Sequence, residues 1–298
     1  MKKDDLIELT IEDLGVDGEG IGKVDGMAIF VKDAVPGDRV QAKVMKMKKS
    51  YGYARLMQVL DPSPERTESR CAFARQCGGC QLQAMTYEAQ LDFKAKKVWN
   101  HLIRIGGITD LAKPEIIGMD DPWRYRNKAQ YPIGRGKDGK PTAGFFAGRT
   151  HSLIPVPELD CLLGCAENKD YLAAVLKFME DFGVEPYDEA NHKGLVRHVL
   201  LRKGFASGEH MVCLVINGKK ITHKKEFIER MREVGADSIS LSFNMEKTNV
   251  ILGTEIKNLY GPGYITDKIG NIEYRISPLS FYQVNPVQTE RLYGTALE

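Results

Sequence analysis

The sequence predicts a multidomain protein: a small N-terminal β-barrel of the oligonucleotide-binding kind, then an α+β central domain with an antiparallel sheet. Three observations carry this. Residues 6–60 break into about five short strands separated by glycine-rich turns. Three of the six cysteines then crowd together as Cys71-x5-Cys77-x2-Cys80. Beyond them, residues 167–275 alternate helical and strand patterns. A chain of 298 residues has room for two or three domains. Its net charge of +2 sets up no global field for nucleic acid, so any such contact must rest on local patches.

In the barrel, Leu6-Ile7-Glu8-Leu9-Thr10-Ile11 alternates as a half-buried strand. Asp25-Gly26 is a hairpin turn signal, and Pro36-Gly37-Asp38 turns the chain into Arg39–Val44. The distinctive surface runs from Lys43 to Arg55, where Lys46, Lys48 and Lys49 interleave with Tyr51 and Tyr53. Cations hold phosphates and aromatic rings stack on bases, so this composition suits single-stranded RNA. A solvated edge strand guarded by lysines is the bland alternative.

The cysteine trio lets three thiolates converge on one inorganic centre, with Gly78-Gly79 permitting the tight turn between the last two. A fourth ligand must come from Cys161, Cys165 or Cys213, and we take it to be Cys161. The N-terminal Met-Lys-Lys-Asp-Asp has no apolar secretory core, and no run approaches the roughly 18 apolar residues of a membrane span. We therefore expect a cytoplasmic protein without membrane association, in which structural disulfides are disfavoured. Zinc is the chemical rival, but its usual pattern pairs two short C-x2-4-C knuckles and the first gap here is five residues.

The arrangement resembles the bacterial ribosomal RNA (uracil-5-)-methyltransferase family. The resemblance runs through a TRAM-type barrel at 6–60, Asp61-Pro62-Ser63-Pro64, the cysteine trio, Trp123–Ala129, Cys161 and Ser280-Phe281-Tyr282-Gln283-Val284-Asn285-Pro286. It implies a [4Fe–4S] cluster on Cys71, Cys77, Cys80 and Cys161, favouring Cys161 over Cys165. It also implies S-adenosyl-L-methionine as cofactor of the complete protein, with Gln283 as the one cofactor contact that carries over. Transfer-RNA members typically lack the barrel and cluster, so the resemblance implies ribosomal RNA, specifically 23S, as partner of a monomer.

On these grounds the chain divides into a barrel (1–62), a cluster loop (63–84), an amphipathic helix (85–112), a central domain (113–276) and the beginning of a Rossmann-like methyltransferase domain (277–298). The helix is marked by Ala84, Tyr87, Leu91, Ala95, Val98, Leu102 and Ile105, and is stopped by Gly106-Gly107. Lys94, Lys96, Lys97 and Arg104 lie off its stripe as a solvated face. Residues 123–131 read as one alternating strand with Arg124, Arg126 and Lys128 on one side. Three like charges there need anions, and with the resemblance RNA phosphate is the favoured partner. Helices are expected at Tyr171–Phe182 and Ile221–Val234, strands at Leu195–Lys203, His210–Asn217, Ser238–Ser242 and Asn249–Leu252, and a hairpin at Gly270-Asn271. His198 and Cys213 read as structural residues.

Methylating uracil at C5 needs a thiolate that adds to C6, a base for the C5 proton, and a glycine-rich cofactor loop after a parallel strand. Neither Cys165 nor Cys213 matches the family's nucleophile, and Gly18-x-Gly20-x-Gly22 opens no helix. The expectation is therefore an N-terminal portion that keeps RNA recognition and the cluster, has no catalytic residue and is inactive alone. The alternative is a non-catalytic RNA-binding protein with a structural iron–sulfur or zinc site.

Overall fold

The computed structural model describes residues 1–148 and 150–298. The chain forms two compact units, Met1–Asp120 and Asp121–Glu298.

The first unit opens with β1 (Leu6–Leu14), β2 (Gly20–Val24), β3 (Met27–Lys32), β4 (Arg39–Met47) and β5 (Tyr51–Asp61), closed into a barrel in the order β1-β2-β3-β5-β4. Alternation puts Leu9, Ile11, Ile29, Val31, Val40, Ala42, Ala54 and Leu56 inside. Each of the larger aliphatics contributes about 1.5–3 kcal/mol by leaving water. The Asp25-Gly26 signal forms the β2–β3 turn with φ of 51° and 76°, the left-handed pair that a two-residue hairpin requires. Gly22 lets β1 and β2 approach: a Cβ there would lie 2.3 Å from the Thr10 carbonyl oxygen.

Helix α1 (Tyr87–Arg104) starts where Thr86 accepts a hydrogen bond from the Ala89 N–H. Met85, just ahead of the helix, and Ala89 in its first turn pack on Leu14 and Val35. Two of the lysines read as solvated reach back to the barrel, Lys96 to Asp13 at 3.1 Å and Lys97 to the Val16 carbonyl at 2.8 Å.

The second unit is built on seven strands in the order β12-β11-β10-β9-β6-β7-β8. These are β6 (Lys128–Arg135), β7 (Pro141–Phe146), β8 (Leu153–Pro155), β9 (Val196–Lys203), β10 (His210–Ile216), β11 (Ser238–Phe243) and β12 (Glu255–Tyr260). Helices α2 (Asn168–Asp181) and α3 (Lys224–Glu233) share one core with one sheet face, where Tyr131, Val199, Leu201, Val212, Leu214, Ile239 and Leu241 meet Phe178, Met179, Phe227 and Met231. On Met211 of the same sheet packs a hairpin, β13 (Ile265–Ile269) and β14 (Ile272–Ile276), together with Tyr282.

The structure corrects the expected fold class in two ways. The sheet is mixed, because β10 and β11 run parallel on either side of α3 while its other neighbours pair antiparallel. A strand–helix–strand crossover puts the two strands in the same direction. Residues 277–298 also pack with the second unit instead of standing apart from it. Helix α4 (Pro286–Leu297), capped by Asn285, lies within the second unit, and Glu290 accepts from the Gly270 N–H at 3.1 Å. No strand forms over 249–252; this stretch is a loop held by Asn244, whose Nδ2 donates to the carbonyls of Val250 and Ile251.

Candidate functional site

On the barrel, β5 carries Tyr51 and Tyr53 outward and β3 adds Phe30, a residue the sequence reasoning passed over. The three rings pack pairwise with centroids 5.5–5.8 Å apart. Register explains the cluster, since Phe30 pairs with Tyr53 across the parallel β3–β5 ladder. Alternation had the signal, because Phe30 lies between the inward-facing Ile29 and Val31. Lys46 sits opposite Tyr53 on β4, and Lys48 donates its backbone N–H to the Tyr51 carbonyl in the hairpin turn. Lys46, Lys48 and Lys49 are exposed. The structure thus puts the three predicted lysines on the hairpin that carries the two predicted tyrosines, with Phe30 completing the aromatic platform.

The cysteine loop is stapled to the barrel by arginines. Arg66 donates through Nε and Nη2 to Asp38, at 2.9 and 2.5 Å, and Asp38 is fully buried. Burial alone would raise the Asp38 carboxyl, but the hydrogen bonds from Arg66, Ser63 and Val35 outweigh it and hold the group below the usual carboxylate range. Arg75 donates to the Leu56 carbonyl at 3.1 Å and pairs with Asp33. Cys71, Cys77 and Cys80 are half-buried on this loop, and the Gly79 N–H donates to the Cys77 sulfur at 3.3 Å. A backbone donor on sulfur stabilises thiolate charge, so the donors fit a cluster in kind. Among the described residues, however, no three His, Cys, Asp or Glu side chains come together as a metal-holding group. None of the six cysteines forms a disulfide among the described residues.

In the second unit the predicted strand over 123–131 is interrupted. Arg124 adopts a φ of 55°, and the Arg124 and Arg126 N–H groups donate to the carbonyls of Leu162 and Leu163, so regular pairing begins only at Lys128. The Arg124 guanidinium grips Asp160 bidentately, at 2.5 and 2.7 Å, and also reaches the carbonyls of Cys161 and Gly164. It is committed to holding the Asp160–Cys165 loop. On that loop Cys161 is half-buried, whereas Cys165 is buried and donates its thiol to the Arg126 carbonyl. Burial pushes the Cys165 and Cys213 thiols up to about 11.

Arg126 and Lys128 are placed differently. Burial lowers the Lys128 pKa, and the neighbouring cations Arg202 and Arg126 lower it further. The Nε atoms of Arg126 and Arg202 are buried without a hydrogen-bond partner among the described residues. Arg202, buried on β9, is a third cation that sequence reasoning missed. Nothing in its apolar strand pattern marked it. Its Nη2 donates to the Ser280 carbonyl at 2.5 Å, and Asn127 Nδ2 donates to the Gln283 carbonyl at 2.9 Å. The predicted cofactor residue Gln283 is thereby fixed next to this cationic group.

Residues 5–57 match the TRAM domain. An uncharacterized RNA methyltransferase of Halalkalibacterium halodurans is 46% identical over 100% of this chain, which covers 65% of that protein. One of Clostridium tetani is 44% identical, again over 100% of this chain and 64% of its own length. The crystal structure of Pyrococcus abyssi tRNA (uracil-54, C5)-methyltransferase in complex with S-adenosyl-L-homocysteine superposes with a TM-score of 0.77 at 25% identity. It covers 97% of this chain and 64% of that one. The chain thus spans about 65% of the length of the curated relatives it matches.

These likenesses correct two expectations. The methyltransferase match extends over 100% of the chain, so the reading as an inactive fragment with methylation assigned elsewhere is withdrawn. The inference from barrel to 23S ribosomal RNA falls as well, because a transfer-RNA enzyme matches 97% of the chain. Among the described residues, no helix is long and apolar enough to cross a membrane. By sequence the chain is similar to proteins named RNA methyltransferases, by fold it is similar to a tRNA (uracil-54, C5)-methyltransferase, and its residues 5–57 match the TRAM domain.

Proposed function

We propose that the protein is an S-adenosylmethionine-dependent RNA methyltransferase acting at C5 of uracil. One observation carries the reading: likeness to proteins named RNA methyltransferases extends over 100% of the chain, and likeness to a uracil-C5 enzyme over 97%. The geometry supports the RNA half independently. Lys46 pairs with Tyr53 across the β4–β5 ladder and the exposed Lys48 and Lys49 follow in the adjoining turn, next to the Phe30–Tyr51–Tyr53 platform, a pairing of phosphate-holding and base-stacking groups. Arg126, Lys128 and Arg202 form a second cationic group whose mutual repulsion an RNA phosphate would relieve.

The cofactor supplies an electrophilic methyl group, and Gln283 is the residue proposed to hold it. The chemistry also asks for a thiolate at uracil C6. Burial keeps Cys165 and Cys213 as neutral thiols, so neither is assigned that role; the methylation proposed is the activity of the whole protein, and this chain spans about 65% of its relatives' length. Cys71, Cys77 and Cys80, with Cys161 as fourth ligand on the strength of the resemblance, are proposed to hold a [4Fe–4S] cluster. Four cysteine ligands leave no open iron, so its contribution is to the structure of the loop.

The test is methyl transfer from labelled S-adenosylmethionine to unmodified ribosomal and transfer RNA, with nucleoside analysis of the product. Label in 5-methyluridine is the expected result. Label in another nucleoside, or none in either RNA, overturns the reading.

A further inference from the structure

The second unit contains a cavity of about 800 Å³ that none of the preceding roles uses. It lies on the strand ends of the sheet, and its walls include Phe146, His151, Tyr187, Arg197, His198 and Val250. The volume falls within the roughly 300–1,000 Å³ of small-molecule sites.

Its walls are built rather than incidental. Arg197 is buried and donates to the carbonyls of Asn244, Glu246 and Thr248 at 2.9, 2.7 and 3.2 Å, fixing the loop that forms one side. The same guanidinium lies 4.5 Å from the Tyr187 ring centroid and so fixes a second side. Phe146 and His151 form an aromatic pair with centroids 5.6 Å apart. The cavity therefore presents flat, apolar surfaces held from behind.

The charged side chains described around it are engaged. Asp188 accepts from Asn191 Nδ2 at 2.6 Å, Glu189 pairs with His151 at 2.8 Å, and Arg135 pairs with Glu185. Among the described residues, the Arg197 Nη groups are spent on loop carbonyls and its Nε is buried, so this cation is not presented to an anion. What the cavity offers instead is a neutral hydrogen-bonding edge. His198 lines it, and its Nδ1 is buried without a partner among the described residues. Burial, with Arg197 beside it, pushes the imidazole pKa down to about 4, so the ring is neutral, one nitrogen a donor and the other an acceptor, and because Nδ1 is buried only Nε2 can face the cavity. A flat, uncharged ring system with donors and acceptors on its edge fits these walls, and that is the chemistry of a nucleobase.

We propose that this cavity takes one unstacked base of the RNA, stacked against its aromatic walls and read by His198. The base is not the one methylated, because no cysteine lines the cavity among the described residues. Sequence-specific RNA recognition commonly works on such splayed bases, and this pocket would give the enzyme a means of choosing its RNA. The proposal rests on the RNA-methyltransferase reading for the identity of the ligand's source.

The test is saturation-transfer NMR on the whole chain with each of the four free ribonucleosides and with S-adenosylhomocysteine. Val250 is 62% exposed at the wall, so Val250→Trp plugs the cavity without disturbing the core. Phe146→Ala removes a wall instead. At least one nucleoside should bind the wild type and lose about five-fold or more in both variants, the low end of base–aromatic stacking. Circular dichroism checks that the variants are folded, and if one is not, the other decides. No nucleoside binding by the wild type, binding unchanged in a folded variant, or preferential filling of the cavity by S-adenosylhomocysteine overturns the assignment. An active wild type that binds no nucleoside sinks only this inference. Nucleoside binding without methyl transfer sinks only the proposed activity.

Discussion

Replacing Asp38 with asparagine should destabilise the barrel unit by about 3–5 kcal/mol, the usual cost of removing one partner of a buried ion pair. The carboxylate has no exposed surface and accepts from four directions: the Arg66 Nε and Nη2 groups and the backbone N–H groups of Val35 and Ser63. An amide keeps the shape but turns one acceptor into a donor facing donors, and it leaves Arg66 without its counter-charge. Hydrogen bonds to a charged group contribute about 1.5–3 kcal/mol each and do not simply add. At a urea slope of about 2 kcal/mol per molar, a loss of 4 kcal/mol moves the midpoint down by about 2 M. Amide exchange along Arg39–Met47 and Tyr51–Asp61 localises the effect to the barrel. The pH dependence follows from the same carboxylate. Its folded pKa is depressed, so its stabilisation is complete above about pH 4 and is lost as pH falls through the lowered folded value. The asparagine variant should lack that acid limb. A variant with an unchanged midpoint and the wild-type acid profile would refute the argument that Asp38 knots the cysteine loop to the barrel.

Arg124→Ala should cost about 1–2 kcal/mol, since the Asp160 pair is partly exposed, and should leave the salt dependence of RNA binding unchanged. Arg126→Ala with Lys128→Ala should instead lower the slope of log K against log salt by about 1.4, as expected for two phosphate contacts on single strands. Phe30→Ala should weaken RNA binding by about 1–3 kcal/mol in a filter or anisotropy assay without shifting the melting curve of the second unit. In anaerobically purified protein, Cys80→Ala and Cys161→Ser should lose iron and sulfide, whereas Cys165→Ser should retain them. Iron retained in Cys161→Ser would reassign the fourth ligand.

The barrel was legible because its grammar is local. Inward residues alternate, and Asp25-Gly26 names its own turn geometry. The long helix was legible for the same reason, from its apolar stripe and the Gly106-Gly107 stop, although it spans Tyr87–Arg104 and not 85–112. The second unit was harder, and its misreadings have a common cause. Alternation through Trp123–Tyr131 looks like one strand, yet Arg124 and Arg126 find their backbone partners in a loop nearly forty residues away. The parallel pairing of β10 with β11 was available from the strand–helix–strand order, but the hairpin β9–β10 before it suggested a purely antiparallel meander. Arginines posed the last difficulty. Arg124 and Lys128 share a sequence motif, and only tertiary structure shows that one is a staple and the other sits among like charges. Arg202 is legible only once Pro278 and Ser280 fold back onto β9.

The closure of the barrel has a consequence for the order in which the protein comes into being. β1 pairs with β4 and β3 with β5, so neither seam can close until the second half of the barrel exists. A nascent chain carrying only the first hairpin holds Leu9 and Ile11 without the strands that cover them. Non-local pairing of this kind delays folding until its loops can close. Arg66, which completes the Asp38 knot, is made later still, only five residues before Cys71. During synthesis the barrel thus becomes secure just as the cysteine loop emerges, so the scaffold is in place when those thiols first meet their surroundings.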